Sequence, residues 1–239
     1  PQHVFCAGSE ARLPQLPWQF HIDEEEIGRL LSGTLSTLSH EWTWRPEAVS
    51  WHEAPDTKQQ WPQIFFHRIP YREGNPYGDI RIAWEPSRLQ HLVTLGLYAQ
   101  QATPDLRRRA VEMIEAQFLS WVTANPPLTG IHYVSVMECA LRLIAVCHAL
   151  DLVRPWLTQP EKVWSGVLNL VSSHAELIRK RVSGHSSSGN HTIAEAAGLI
   201  YAGLLFPKME QAERWLAYGL YLLEQEAPHQ IRQDGGGRE

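Results

Sequence analysis

The sequence predicts a mainly α-helical fold, in which antiparallel helix hairpins close, fully or in part, into an incomplete α/α toroid behind an irregular N-terminal arm. Three observations predict it. From Asp79 onward, apolar residues recur every three to four positions in successive stretches, and little there favours strands. Gly and Pro punctuate those stretches. The breaks at Thr103-Pro104, Asn125-Pro126-Pro127-Leu128-Thr129-Gly130 and Phe206-Pro207 are short, which makes successive helices antiparallel neighbours. No fixed-period repeat is visible, which disfavours tandem-repeat arrays.

The elements follow in order. Ile27, Leu30, Leu31, Leu35 and Leu38 recur at helical spacing behind acidic Asp23 to Glu26, so a first helix is expected over about 23–38. Between Trp42 and Asn75 the prolines at 46, 55, 62 and 70, the cluster Trp42, Trp44, Trp51, His52 and Trp61, and short apolar runs such as Ile64-Phe65-Phe66 predict an irregular arm with one short strand. Further helices are expected over roughly 86–101, 105–123, 133–150, 160–181, 192–205 and 208–226. Residues 1–75 then form a helix plus arm, and 76–239 the toroid.

Composition excludes several functions. The 239 residues, 44% hydrophobic and 20% charged, can bury one sizeable core. A formal charge of -5 draws in no anionic polymer globally, so bulk nucleic-acid binding is disfavoured and an acidic substrate needs local groups. No apolar run approaches the ~20 residues of a membrane span. The start Pro1-Gln2-His3 lacks signal-peptide features, and both ends read as cut from a longer gene product. Cys6, Cys139 and Cys147 are odd in number, and the latter two lie in apolar helical stretches where a thiol acts as a small hydrophobe. Ten tryptophans suit either helix packing or a sugar-stacking cleft. No P-loop, GxGxxG, HExxH, CxxC or GxSxG pattern occurs, and His174, His185 and His191 have no recognised ligand spacing, so neither cofactor nor metal is expected.

Three blocks carry candidate chemistry. In the first, Ser183 to His191, a small-residue loop leads straight into a helix. Thr192 and Glu195 have capping-box spacing, which places Asn190 and His191 just ahead of the helix. Open N–H groups, the positive end of the helix dipole, an amide and an imidazole together suit a carboxylate; alternatively the pair only closes a loop through local hydrogen bonds. In the second block, Asp79, Arg81, Glu85 and Arg88 suit a paired network, and Trp84 is either a sugar platform or a buried wedge. The third holds His132 and Tyr133 at a helix opening, where they either face a cleft or staple the core, followed by the i, i+4 pair Glu138 and Arg142.

Taken in chain order, the blocks resemble the heparinase II/III-type polysaccharide lyases. The likeness runs through Asp79-Ile80-Arg81 with Trp84-Glu85 and Arg88, Asn125-Pro126 with Gly130, Glu138 with Arg142, Gly189-Asn190-His191, and Gln233-Asp234-Gly235-Gly236 with Glu239, over roughly 76–239. The resemblance implies a helical toroid followed by a C-terminal β-sandwich of the same full-length protein, an acidic, uronate-containing polysaccharide substrate such as heparan sulfate or alginate, and a periplasmic or secreted location. It implies that Asn190 and His191 neutralise the uronate carboxylate and that a tyrosine beyond Glu239 acts as base and acid, while Tyr133, His132, Trp84 and Glu239 are the candidate substrate contacts. Tyr133 stands where the family often has tryptophan. Turnover is expected from the full-length protein and not from these 239 residues alone. The alternatives are a non-catalytic polysaccharide-binding or surface-polysaccharide assembly module, and a glycoside hydrolase with Glu138 and Asp234 as nominal carboxylates.

Overall fold

The computed structural model describes residues 22–46, 51–183, 189–232 and 234–237. These divide into two compact units, one joining 22–134 to 145–168 and the other joining 135–144 to 169–237.

In the first unit, α1 (Glu24–Leu31) starts at Asp23, whose carboxylate accepts from the Glu25 N–H, and buries Ile27 and Leu30. It does not continue to Leu38 as the apolar spacing predicts. Instead β1 (Thr34–Thr37) and β2 (His40–Thr43) form an antiparallel hairpin with Leu35 opposite Trp42. The threonines favour extended backbone, Leu38 and Ser39 turn the chain at φ 43° and 66°, and the Trp44 N–H closes on the Gly33 carbonyl at 2.7 Å. The three-to-four spacing of Leu31, Leu35 and Leu38 was therefore no helix signal.

The arm is irregular, as its prolines predict. Among its described residues past β2, strand pairing is limited to bridges between Glu53 and Gln60 and between Phe65 and Thr129, so the one short strand expected in the arm amounts there to no more than single bridges. Its tryptophans are core residues: Trp42, Trp44, Trp51 and Trp61 are each 7% exposed or less, and Trp121 of α4 is 1% exposed. Packing, not an open stacking surface, uses these rings.

Asp79 then caps α2 (Ile80–Ser87), accepting from the Arg81 N–H at 2.9 Å. Pro86, which reads as a helix start, falls in the last turn of α2. The chain breaks at Leu89, φ 58°, so the helix expected over 86–101 is two: α2 and α3 (His91–Gln101). The unit continues with α4 (Pro104–Ala124) and a 3₁₀ turn at Ile131–Tyr133. Both α5 (Val136–Val153) and α6 (Pro160–Arg181) contribute residues to each unit.

The second unit adds α7 (Asn190–Leu205) and α8 (Ala212–Gln230). A Cβ at Gly203 would meet the Ala212 carbonyl at 2.6 Å, and one at Gly219 the Ala196 carbonyl at 2.8 Å, so α7 and α8 run antiparallel in close contact. Beside them, Glu176 of α6 accepts from Trp215 Nε1 at 2.9 Å and from Arg179 at 3.1 Å, with Lys180 nearby.

Arg179, and then Trp215, hold the Glu176 carboxyl down at about 2. A carboxyl depressed in the folded state stabilises it above the unfolded value, ordinarily about 4.3 for Glu, and that contribution fades as pH falls toward the folded value. Urea denaturation against pH should thus show stability falling between about pH 4.5 and 2. Glu176→Gln should flatten that limb; an unchanged acid limb in the variant would remove Glu176 as its cause.

Candidate functional site

The entrance of α7 carries the candidate pair Asn190 and His191. Gly189 precedes it at φ 108°, with the Gln230 amide 3.1 Å from where a Cβ would stand, so only glycine fits there. Gly189 offers no capping side chain, and its carbonyl takes the Ile193 N–H at 3.0 Å. The first-turn N–H groups have no carbonyl partner four residues back within the helix and lie at the positive end of its dipole. Asn190 is exposed and His191 half-buried.

Asn190 and His191 lie inside the first turn of α7, one turn further in than the spacing predicts. The capping box does not form. Thr192 Oγ donates to the Ser183 carbonyl at 2.8 Å, and Glu195 accepts from the Ser183 N–H and Oγ at 2.7 Å each. Ser183, outside the helix, competes for the two side chains that sequence spacing pairs with each other. The Thr-x-x-Glu pattern was the right signal for an anchored helix start, but its partner is tertiary. Residues 184–188, and with them His185, lie outside the described residues.

The same unit holds a group of buried polar side chains around Cys139. Glu138, Arg142, His174 and Glu195 are each 0% exposed. An Arg142 nitrogen stands 3.0 Å from His174 Nε2. Arginine only donates, so that Nε2 is unprotonated, and burial together with Arg142 drives the imidazole well below its usual range. The charges of Arg142, Glu138 and Glu195 all act on the Cys139 thiol, which burial pushes up to about 11. Burial also raises the Glu195 carboxyl, against the lowering effect of the Ser183 bonds. Cys139 is an inert packing thiol. A fully buried Glu138 is closed to the hydrolase role nominated for it, while Asp234 sits exposed in a turn, accepting from the Gly236 N–H.

The other candidates belong to the first unit. His132 is 0% exposed, with Nε2 2.7 Å from the Trp51 carbonyl and 3.2 Å from Ser87 Oγ. Tyr133 is 1% exposed and donates to the Asn125 carbonyl at 3.1 Å. Of the two roles left open for them, stapling the core is the one their burial matches. Gly130, at φ 86°, admits the His52 ring 2.6 Å from where a Cβ would stand, which draws this loop against the arm. Trp84 is half-buried, donates to the Ile131 carbonyl at 3.0 Å and packs against the core cluster that includes Trp61 and Ile69. Asp79 with Arg81 and Glu85 with Arg88 make two ion pairs. Glu239 lies outside the described residues. Sequence reasoning missed the bonds of Ser183 to Thr192 and Glu195 and the Arg142 to His174 contact, neither of which has a local signature.

Among the described residues no helix is long and apolar enough to cross a membrane, and no group of three or more His, Cys, Asp or Glu is placed to hold a metal.

Comparison with known proteins adds a family. The family model for the heparinase II/III N-terminus matches residues 33–239. A heparin-sulfate lyase of Bacteroides stercoris is 38% identical over 52 residues, 22% of this chain and 8% of that protein. One of Bacteroides thetaiotaomicron is 38% identical over 55 residues, 23% of this chain and 8% of that protein. The solved heparan sulfate lyase HepC from Pedobacter heparinus superposes with a TM-score of 0.64 at 17% identity, over 94% of this chain and 32% of its own. A heparinase III gene product with methylated lysines gives 0.59 at 19%, over 92% and 34%. The chain thus spans about a third of these solved structures, and the likeness bears out the mainly α fold class.

Proposed function

The chain belongs to the heparinase II/III family, whose N-terminal model covers 33–239, and from that premise we propose that it is the helical substrate-binding part of a lyase that cleaves uronate-containing polysaccharides by β-elimination. The observation that carries the reading is the entrance of α7: exposed Asn190 and half-buried His191 in its first turn, at the positive end of the helix dipole.

A uronate carboxylate fits that turn. The Asn190 amide and the His191 imidazole donate to it, and the helix end adds its positive potential. Removing the C5 proton beside a carboxylate moves charge onto the carboxylate oxygens, so donors held there stabilise the transition state more than the ground state. The C4–O bond then breaks, and the electron pair of the C5–H bond becomes the C4–C5 double bond. The proton is taken, and returned to the leaving oxygen, by a tyrosine that we place after the Asp234-Gly235-Gly236 turn, with a C-terminal β-sandwich completing the cleft. Heparan sulfate leads the substrate candidates, since the relatives are named as lyases of heparin-type polymers; alginate shares the uronate carboxylate.

Full-length protein incubated with heparan sulfate, heparin and alginate should develop the ultraviolet absorbance of an unsaturated uronate. No product on any uronate polymer would sink the proposal, and binding without product that survives Asn190→Ala and His191→Ala would establish a non-catalytic polysaccharide-binding module.

A further inference from the structure

Ser183 is held by α7 through every polar group it has. Its N–H and Oγ donate to the two carboxylate oxygens of Glu195, and its carbonyl accepts from Thr192 Oγ. Both Glu195 contacts are 2.7 Å, at the short end that a charged acceptor produces. A helix start ordinarily frays, because its first residues lack hydrogen bonds four positions back. Here the residue after His191 and the residue one turn beyond it are both tied to Ser183, which lies outside the helix. His191 and Glu195, at i and i+4, share one face of α7.

We propose that Glu195 is a positioning residue: by gripping Ser183 it fixes the first turn of α7 and so the directions in which Asn190 and His191 project. The proposal rests on the carboxylate-binding reading of that turn. Full burial of Glu195 makes the grip rigid, because a carboxylate at 0% exposure has no water to exchange for Ser183. A displacement of about 1 Å in a catalytic donor lowers turnover by up to about 100-fold, so a residue that never meets substrate has leverage over the reaction.

The test compares Glu195→Gln and Glu195→Ala in full-length protein. Glutamine keeps the shape: its oxygen accepts from the Ser183 N–H while its amide donates to Ser183 Oγ, whose proton rotates away. Alanine keeps neither bond. Expected kcat per folded molecule falls about 10- to 100-fold in Glu195→Ala and is largely restored in Glu195→Gln. Gly203→Ala, at the far end of α7, where a Cβ would meet the Ala212 carbonyl at 2.6 Å, supplies a destabilised control that should keep its kcat. NMR order parameters at Asn190 and His191 should be about 0.85 in the parent and fall below about 0.6 in Glu195→Ala. Unchanged order parameters, or a kcat loss no greater than that of the Gly203→Ala control, would overturn the proposal. If the parent forms no unsaturated product, the lyase reading fails, and the order parameters alone decide whether Glu195 fixes the turn.

Discussion

Replacing Asn190 or His191 by alanine should lower kcat on a uronate polymer by about 100- to 1,000-fold each, with the fold intact. The magnitude is that of removing one preorganised donor from a developing oxyanion, about 3 to 4 kcal/mol. Intact folding is expected because Asn190 is exposed and His191 half-buried, so neither truncation opens a core cavity. The kinetic signature matters as much as the size. Donors that act on charge formed during proton removal should lower kcat more than they raise KM, whereas donors that only hold the ground-state carboxylate should raise KM alone. The double variant should lose less than the product of the single losses, since the two groups serve one charge. Steady-state kinetics with circular dichroism as a folding control decide the matter; a kcat within twofold of the parent for both single variants would remove the turn from the chemistry.

Arg142→Met should destabilise the protein by about 3–5 kcal/mol, the cost of leaving buried charge without its opposite. Arg142 is 0% exposed, as are Glu138 and Glu195, and all three act on the Cys139 thiol. Methionine fills much of the volume but takes the positive charge from beside the buried carboxyls and the donor from His174 Nε2. A second substitution tests the cause. Arg142→Met with Glu138→Leu removes one carboxylate together with the cation and should be more stable than Arg142→Met alone, since apolar replacement of a buried ion pair is often neutral or better. Urea denaturation gives both numbers. A loss below about 1 kcal/mol for Arg142→Met would show the cluster to be hydrated and the burial argument to fail.

Much of the helical framework was legible because its signals are local. The expected helix over 160–181 coincides with α6 at Pro160–Arg181, where proline opens the helix and Arg179, Lys180 and Arg181 close it. Helix spacing failed at Leu35 and Leu38, where two apolar residues three apart fit a strand and its turn equally well. It failed again at Pro86, where Asp79 caps a helix that begins earlier.

At the candidate site, the tripeptide Gly189-Asn190-His191 was readable because a glycine ahead of a helix, an amide and an imidazole are residue types suited to holding a carboxylate. By itself the sequence determined the helices from Pro104 onward, the breaks between them and the polar residues at the mouth of α7, all set by dihedral preference and apolar period within a few neighbouring residues. Only the tertiary structure decided which partners those residues take. Glu195 turns to Ser183, 12 residues away, Arg142 to His174, 32 away, and His132 to Trp51, 81 away. Burial settles such contacts, because a polar atom removed from water bonds to whatever donor or acceptor packing brings within reach, however distant along the chain.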